Sequence, residues 1–392
     1  MDDCKPILNT GLRGVTIAST KISDVRGEEG KLIYRGYLVQ DLAESASFEE
    51  VVHLLLYERL PTEKELAEFK SRLAADMAIP EGVVKAMQTF PTNALPMDVM
   101  QATVAILAQH DPEIRDQSRE ATERMGLRLI AKLSAVLATW ERIRNGKPSV
   151  DPDPNLGMGA NFLYMLKGER PSEEVARFID ICLVLHAEHS FNASTFAARE
   201  VASTRAHIYA AISAAIGSLS GELHGGANVR VMQMLLEIGE PDKVEAYVNQ
   251  ILDEGRKIMG LGHAVYKTDD PRAHILRPMC RRMGELAGDT KWYEISRILE
   301  EKGKAAFKAH KGTDIYVNVD FYSASLYYAM GIPTDLFSPV FAISRVAGWV
   351  AHVLEEQYAE AAPKPMLYRP ESEYVGDYCG PEECAFVPMD DR

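Results

Sequence analysis

Residues 257–272, KIMGLGHAVYKTDDPR, crowd together side chains that could do chemistry. Gly260 and Gly262 bracket one leucine just before His263, so the backbone there can enter turn conformations that a side chain forbids. A loop of that kind can offer N–H groups to a phosphate or a carbonyl. Lys257, Lys267 and Arg272 add positive charge, and Asp270-Pro271 ends the loop because the residue before proline is pushed out of helical geometry. The segment reads as a site for a large anionic ligand, with His263 at its reactive end.

Three other histidines compete for roles. His224 precedes Gly225-Gly226 and a helical pattern. The positive end of a helix dipole disfavours an imidazolium, so His224 is either a plain cap or a neutral donor able to polarise a carbonyl. His186 and His189 lie three apart on what reads as one helix face. That spacing suits a metal, but no third ligand of suitable type lies nearby, and no metal is assigned. Taken alone, His189 reads as a core histidine. Asp320 stands just ahead of a helical run, where an aspartate is ordinarily an N-cap. Arg345 is the lone charge in an apolar helix between Phe341 and Trp349, a setting in which a charge needs a partner. The guanidinium forks of Arg272, Arg345 and Arg369 match carboxylates.

The elements that must position these residues are mainly helical, and the alternation of a parallel sheet is absent. Val15–Ser19 and Lys31–Tyr34, separated by DVRGEEG, are predicted as a small hairpin. Ser47/Glu50 and Thr62/Glu65 have capping-box spacing ahead of apolar stripes. Helices are expected over 97–109, 119–145, from Ser172 through HAEHS, 193–202, 206–220, after HGGAN, from Pro241 to Lys257, 273–287, 291–310, beyond Asp320 and over 338–357. Gly260-Leu-Gly262 lacks the third glycine and the preceding strand of a dinucleotide-binding turn.

The chain has 392 residues and a net charge of −14, a poor surface for nucleic acid or an anionic membrane. It suits an enzyme that collects its positive charge in one cleft. Cys4, Cys182, Cys280, Cys379 and Cys384 are scattered without a CxxC, which fits a reducing, cytoplasmic setting. Cys379 and Cys384 bracket GPEE and read as two free thiols. No signal peptide is read at the N-terminus. The apolar stretch 206–219 is too short to span a bilayer and reads as a core helix.

In their order and spacing, SGELHGGAN, KIMGLGHAVYKTDDPR, NVDFYSA, FAISRVAGWVAHVLEE and YRPESEYVG resemble the citrate synthase family, over nearly the whole chain. The resemblance implies an all-α fold, with a large domain (1–224 and 330–392), an inserted small domain (225–329) and an intertwined homodimer. It implies condensation of acetyl-CoA with oxaloacetate, with no cofactor beyond the CoA substrate. His224, His263 and Asp320 fall on the family's catalytic triad. His189, Arg272, Arg345 and Arg369 fall on its oxaloacetate contacts, Arg369 reaching across the dimer. Asn192, Ser194 and Phe341 are implied as supporting residues. Ile258, Met259, Gly260, Leu261, Gly262, Lys267 and Lys311 are implied near CoA. Ala264 stands where many bacterial relatives carry arginine, and the DYCGPEECA insertion lengthens the tail. The same triad also serves 2-methylcitrate synthases, which use propionyl-CoA. Citryl-CoA cleavage and a non-catalytic helical scaffold are the remaining alternatives.

Overall fold

The computed structural model describes residues 10–12, 14–263, 265–376 and 388–391. The sequence readings on Cys4, Ala264, Cys379 and Cys384 lie outside the described residues. A small antiparallel sheet opens the fold: β1 (Ser23–Arg26), β2 (Lys31–Tyr34) and β3 (Tyr37–Leu38), in the order β1-β2-β3. Ser23 faces Tyr34 across the first pair and Arg26 faces Lys31. The expected partner Val15–Ser19 is therefore wrong. The turn is GEEG alone, and the preceding residues Asp24–Arg26 belong to the strand.

Sixteen α-helices follow among the described residues. They are α1 (Val39–Ser45), α2 (Phe48–Tyr57), α3 (Glu63–Asp76), α4 (Glu81–Met87), α5 (Pro96–Gln109), α6 (Arg119–Arg144), α7 (Met158–Lys167), α8 (Glu173–His186), α9 (Ala193–Ser203), α10 (Ile208–Leu219), α11 (Ala227–Ile238), α12 (Val244–Asp253), α13 (Pro271–Ala287), α14 (Lys291–Lys311), α15 (Val319–Ala329) and α16 (Phe337–Gln357). Both predicted capping boxes are formed: Ser47 with Glu50 starts α2, and Thr62 with Glu65 starts α3. Each satisfies two N–H groups that the first turn leaves unbonded. The helix expected from Pro241 to Lys257 is instead a 3₁₀ turn followed by α12, which stops at Asp253 ahead of Gly255 at φ 68°.

The core is organised around α16, which packs against α2, α5, α6, α8, α9, α10 and α11. Thr334–Gln357 is long and apolar enough to cross a membrane, but 94% of its apolar window is buried inside the fold. It is a core helix because other helices, not lipid, cover it. Helices α11 to α15 pack largely on one another, α13 against α15 and α12 against α14, with α13 also touching α1 and α8.

One local reading changes the chemistry. Helix α8 ends at His186, and Ser190 takes a left-handed φ of 51°, so His186 and His189 share no helix face. The Arg345 side-chain N–H donates to His186 O at 2.7 Å, and Gly348 N–H donates to Ala187 O at 3.2 Å. Helix α16 thus takes up carbonyls that α8 leaves free at its end.

Candidate active site

A cavity of about 760 Å³ collects side chains from elements far apart in sequence. Its lining includes His189, Asn192, His224, His263, Arg272, Asp320, Phe341 and Arg345. The whole predicted triad and three of the four predicted carboxylate contacts therefore face one space.

His263 and Asp320 are brought together through the backbone. Leu261 and Val317 form an isolated antiparallel bridge. Gly262 N–H donates to Tyr316 O at 2.7 Å, and Asn318 N–H donates to Gly260 O at 3.0 Å. The Asn318 side-chain amide also donates to Gly262 O at 3.1 Å. Gly260 and Gly262 have φ of 81° and 94°, as the sequence required. A Cβ on Gly260 would stand 2.7 Å from the Phe321 ring and 2.9 Å from Val231. The glycines therefore serve close approach to α15. The Leu261 and Gly262 N–H groups bond Ile258 O and Tyr316 O, so they are not left open to a ligand as the loop's composition suggested.

Asp320 lies in the first turn of α15, and the cap is Asn318, whose side chain accepts Asp320 N–H at 3.1 Å. This corrects the N-cap reading of Asp320. Among the described residues no hydrogen-bond donor reaches its carboxylate. Burial, helped by the nearby Asp270 charge and opposed by Arg272, raises its pKa to about 6. A carboxylate so placed is a stronger base than one in water.

The hydrogen bonds assign both histidine tautomers. His263 Nδ1 accepts the N–H groups of Val265 and Tyr266, each at 3.0 Å, so the proton sits on Nε2. His224 Nε2 accepts Ser194 N–H at 3.1 Å and lies 2.8 Å from Ser194 Oγ, so its proton sits on Nδ1. Ser194 Oγ accepts from Trp349 Nε1 at 3.2 Å, and its one proton serves either His224 Nε2 or Asn192 Oδ1, each 2.8 Å away. Burial lowers the pKa of both rings to about 4, with the Arg345 charge adding to it at His224 and the Arg272 charge at His263. Both are neutral donors at pH 7. For His224 burial is the larger cause, with the Arg345 charge next.

The two buried arginines differ. Arg272 is held by Asp270 through bonds of 2.9 and 2.7 Å, and that pairing outweighs burial to raise its pKa. Arg345 is 1% exposed, stacks its guanidinium 4.5 Å from the Phe341 ring centre, and among the described residues bonds only through Nε. Burial lowers its pKa to about 10. Its two terminal nitrogens have no acceptor among the described residues, so the cavity holds a fork ready for a carboxylate.

His189 stands with its ring centre 5.6 Å from that of His263 and accepts or donates a 3.3 Å bond to Tyr266 Oη. Burial, with Arg272 and Arg345 next, pulls its pKa well below the ordinary value. Sequence reasoning missed Tyr266. It lay inside the basic loop, but nothing about a tyrosine there signals a ring packed between two histidines. It also missed Glu188, fully buried, which bonds His352 at 3.0 Å. A carboxylate between two histidines in HAEHS was the available signal.

Ile258, Met259, Gly260, Leu261, Gly262, Lys267 and Lys311 do not line this cavity, and neither does Arg369. Lys267, Lys311 and Arg369 are exposed. Ser194 is buried behind His224.

The family profile described as "Citrate synthase, C-terminal domain" matches residues 11–371. The citrate synthase of Haloferax volcanii is 44% identical over 98% of this chain and 99% of its own length. A 2-methylcitrate synthase of Mycobacterium tuberculosis is 38% identical over 97% of this chain and 93% of its own. The crystal structure of Pyrobaculum aerophilum citrate synthase matches with a TM-score of 0.90 and 38% identity, over 100% of this chain and 97% of that one. A Thermoplasma acidophilum citrate synthase, solved as a ternary complex with carboxymethyl-CoA and oxaloacetate, matches with a TM-score of 0.89 and 33% identity, over 99% of this chain and 100% of that one. A mainly helical chain with an acid–base constellation and a buried arginine fork, alike over its full length to these enzymes, belongs to the citrate synthase family of acyltransferases.

Proposed function

We propose that the chain condenses acetyl-CoA with oxaloacetate and water to give citrate and CoA. The observation that carries this is the cavity itself, which faces an unbonded carboxylate of raised pKa and two neutral histidines of opposite tautomer towards a carboxylate-binding arginine. Asp320 takes a proton from the acetyl methyl group. His224 Nδ1–H donates to the thioester oxygen as the enol develops, which spreads the charge on a fixed dipole. The enol carbon attacks the oxaloacetate ketone, and His263 Nε2–H gives its proton to the ketone oxygen. Citryl-CoA results, and water cleaves its thioester.

Arg345, Arg272 and His189 hold the carboxylates of oxaloacetate, supported by Asn192, Ser194 and Phe341. Arg369 completes the site of the second subunit in a homodimer; its exposure, away from this chain's own cavity, fits that role. CoA runs along residues 258–262, its phosphates near the exposed Lys267 and Lys311. Residues 225–329 form a small domain that closes on the large one and shuts out water. The buried, unpaired Cys182 and Cys280 fit a reducing, cytoplasmic setting.

The M. tuberculosis relative keeps a second reading open, 2-methylcitrate synthesis from propionyl-CoA. One methylene separates the substrates, a difference that pockets discriminate by about 1–3 kcal/mol. Comparing kcat/KM for acetyl-CoA and propionyl-CoA tests the assignment: a higher value with acetyl-CoA is expected, and a marked propionyl preference overturns it.

A further inference from the structure

The small N-terminal sheet touches two of the three histidine segments of the cavity, those of His189 and His263. At the base of the β1–β2 hairpin, Ser23 and Tyr34 face each other across the ladder. Ser23 Oγ donates to Glu188 at 2.8 Å and accepts Ser190 N–H at 3.0 Å, so it bonds the residues on either side of His189. Tyr34 Oη donates to Glu188 O at 2.9 Å and lies 3.2 Å from Glu188 N. At the tip, Gly27 O accepts Lys267 N–H at 3.0 Å, four residues beyond His263. A Cβ on Gly27 would fall 2.3 Å from Val265 O, and one on Gly30 would fall 2.6 Å from Thr268 Oγ1. Between base and tip, Val25 lines the cavity wall.

We infer that the β1–β2 hairpin is a strut that sets the separation of the His189 turn and the His263 loop, with Ser23, Tyr34, Gly27 and Gly30 as positioning residues. This rests on the proposed function, in which His189 holds oxaloacetate while His263 protonates its ketone. The physical basis is rigidity. Paired strands fix the length from base to tip, and the contacts are to Glu188 and Ser190 at one end and to Val265, Lys267 and Thr268 at the other. Two glycines at the tip allow the loop to settle against the turn with no side chain between. A misplacement of about 1 Å at such a site lowers the rate up to about a hundredfold.

The test is a clash and its relief. Gly30→Ala puts a methyl against the Thr268 hydroxyl, and Thr268→Ala removes that hydroxyl. Gly30 has φ of 63°, so alanine is strained there in both variants, and the difference between G30A and G30A/T268A reads the loop contact alone. G30A is expected to lose about tenfold or more in kcat/KM for oxaloacetate, and the double variant to regain most of it. Gly27→Ala, whose methyl meets a main-chain oxygen with no such relief, should lose more. Glu28→Ala, exposed at the same tip, should match the parent. Amide hydrogen exchange over 263–270 is followed in the same proteins, and should rise in G30A and fall back in G30A/T268A. A folded G30A with parental kinetics and exchange, or a double variant no better than G30A, overturns the strut. A parent protein without citrate-forming turnover overturns the proposed function, while the exchange comparison still decides the strut.

Discussion

The side-chain oxygen of Asn318 accepts the backbone N–H of Asp320 at 3.1 Å. The cap of α15 and the carboxylate facing the cavity are therefore separate residues. Asp320 is released from the duty that its position implies, and its oxygens are left without a donor among the described residues. An N-cap aspartate accepting backbone N–H groups would have a depressed pKa and be a weak base.

Replacing Asp320 with Asn should reduce kcat by about three orders of magnitude or more, since general-base catalysis supplies a hundred- to ten-thousandfold. Oxaloacetate should still bind within a few-fold of the parent by calorimetry, because Arg345 and Arg272 are untouched. Turnover near the parental value would remove Asp320 from its role as base. Replacing Asn318 with Ala should instead cost about 1 kcal/mol of stability through loss of the cap, and its signature is a lower Tm.

Arg345→Leu should raise the KM for oxaloacetate far more than it lowers kcat. Removing a charge-assisted pair from a buried site costs about 3–5 kcal/mol when the partner charge is left unpaired, so a shift of two orders of magnitude or more is expected. Initial rates against oxaloacetate concentration read it directly. An unchanged KM would mean that the fork does not hold the substrate.

Activity should depend on pH through Asp320 on the acid side. Its pKa of about 6 means that kcat/KM falls as pH drops through that value, while His224 and His263, at about 4, stay neutral until well below it. Stability follows linkage. A carboxyl whose folded pKa is raised favours the folded state below its unfolded value near 3.9, and that contribution is lost as pH rises through about 6. Asp320→Asn should therefore melt higher than the parent at pH 7, with the gain shrinking below pH 6 and gone by about pH 4. The histidines act in the opposite sense. Their lowered folded pKa values withhold protons that the unfolded chain takes up, so the fold loses stability as pH falls from about 6.5 towards 4. Melting both proteins across that range separates the two trends.

Gly260→Ala should be among the costlier single-methyl changes in the chain. It forces a side chain onto a φ of 81° and sets its Cβ 2.7 Å from the Phe321 ring. A loss of about 2–4 kcal/mol follows from strain plus overpacking. Because the bridge beside Gly260 holds His263 near Asp320, activity should fall even at temperatures where the protein remains folded. A Tm within a degree of the parent would contradict this packing.

Much of this was legible in the sequence, for physical reasons that can be named. The capping boxes at Ser47 and Thr62 act within three residues and were read correctly. His224, His263, Arg272 and Arg345 stood out because charge and imidazole beside glycine or within apolar helix are unusual. The end of α8 was not legible. Nothing in HAEHS breaks a helix, and the chain turns there where α16 bonds the free carbonyls, an event of tertiary structure. Taken alone Asp320 reads as a cap; Asn318, two residues earlier, is equally able to cap, and local sequence does not choose between them. Only the family resemblance marked Asp320 as a base. Val15–Ser19 has the composition of a strand but lost its place to Ser23–Arg26, of which Ser23 bonds the His189 turn. The buried Glu188 and the ring of Tyr266 gain meaning only from neighbours remote in sequence.

Helix α16 carries one more consequence, for the chain before it folds. Its length and hydropathy would let it pass for a membrane segment on emerging from the ribosome. Arg345 lies within it, with His352, Glu355 and Glu356 in its last two turns. An arginine at the centre of a helix entering lipid costs about 2.5–3.5 kcal/mol in translocon-mediated insertion, and acidic residues add to that. Arg345, at the middle of this long apolar helix, thus also raises the cost of placing it in a bilayer.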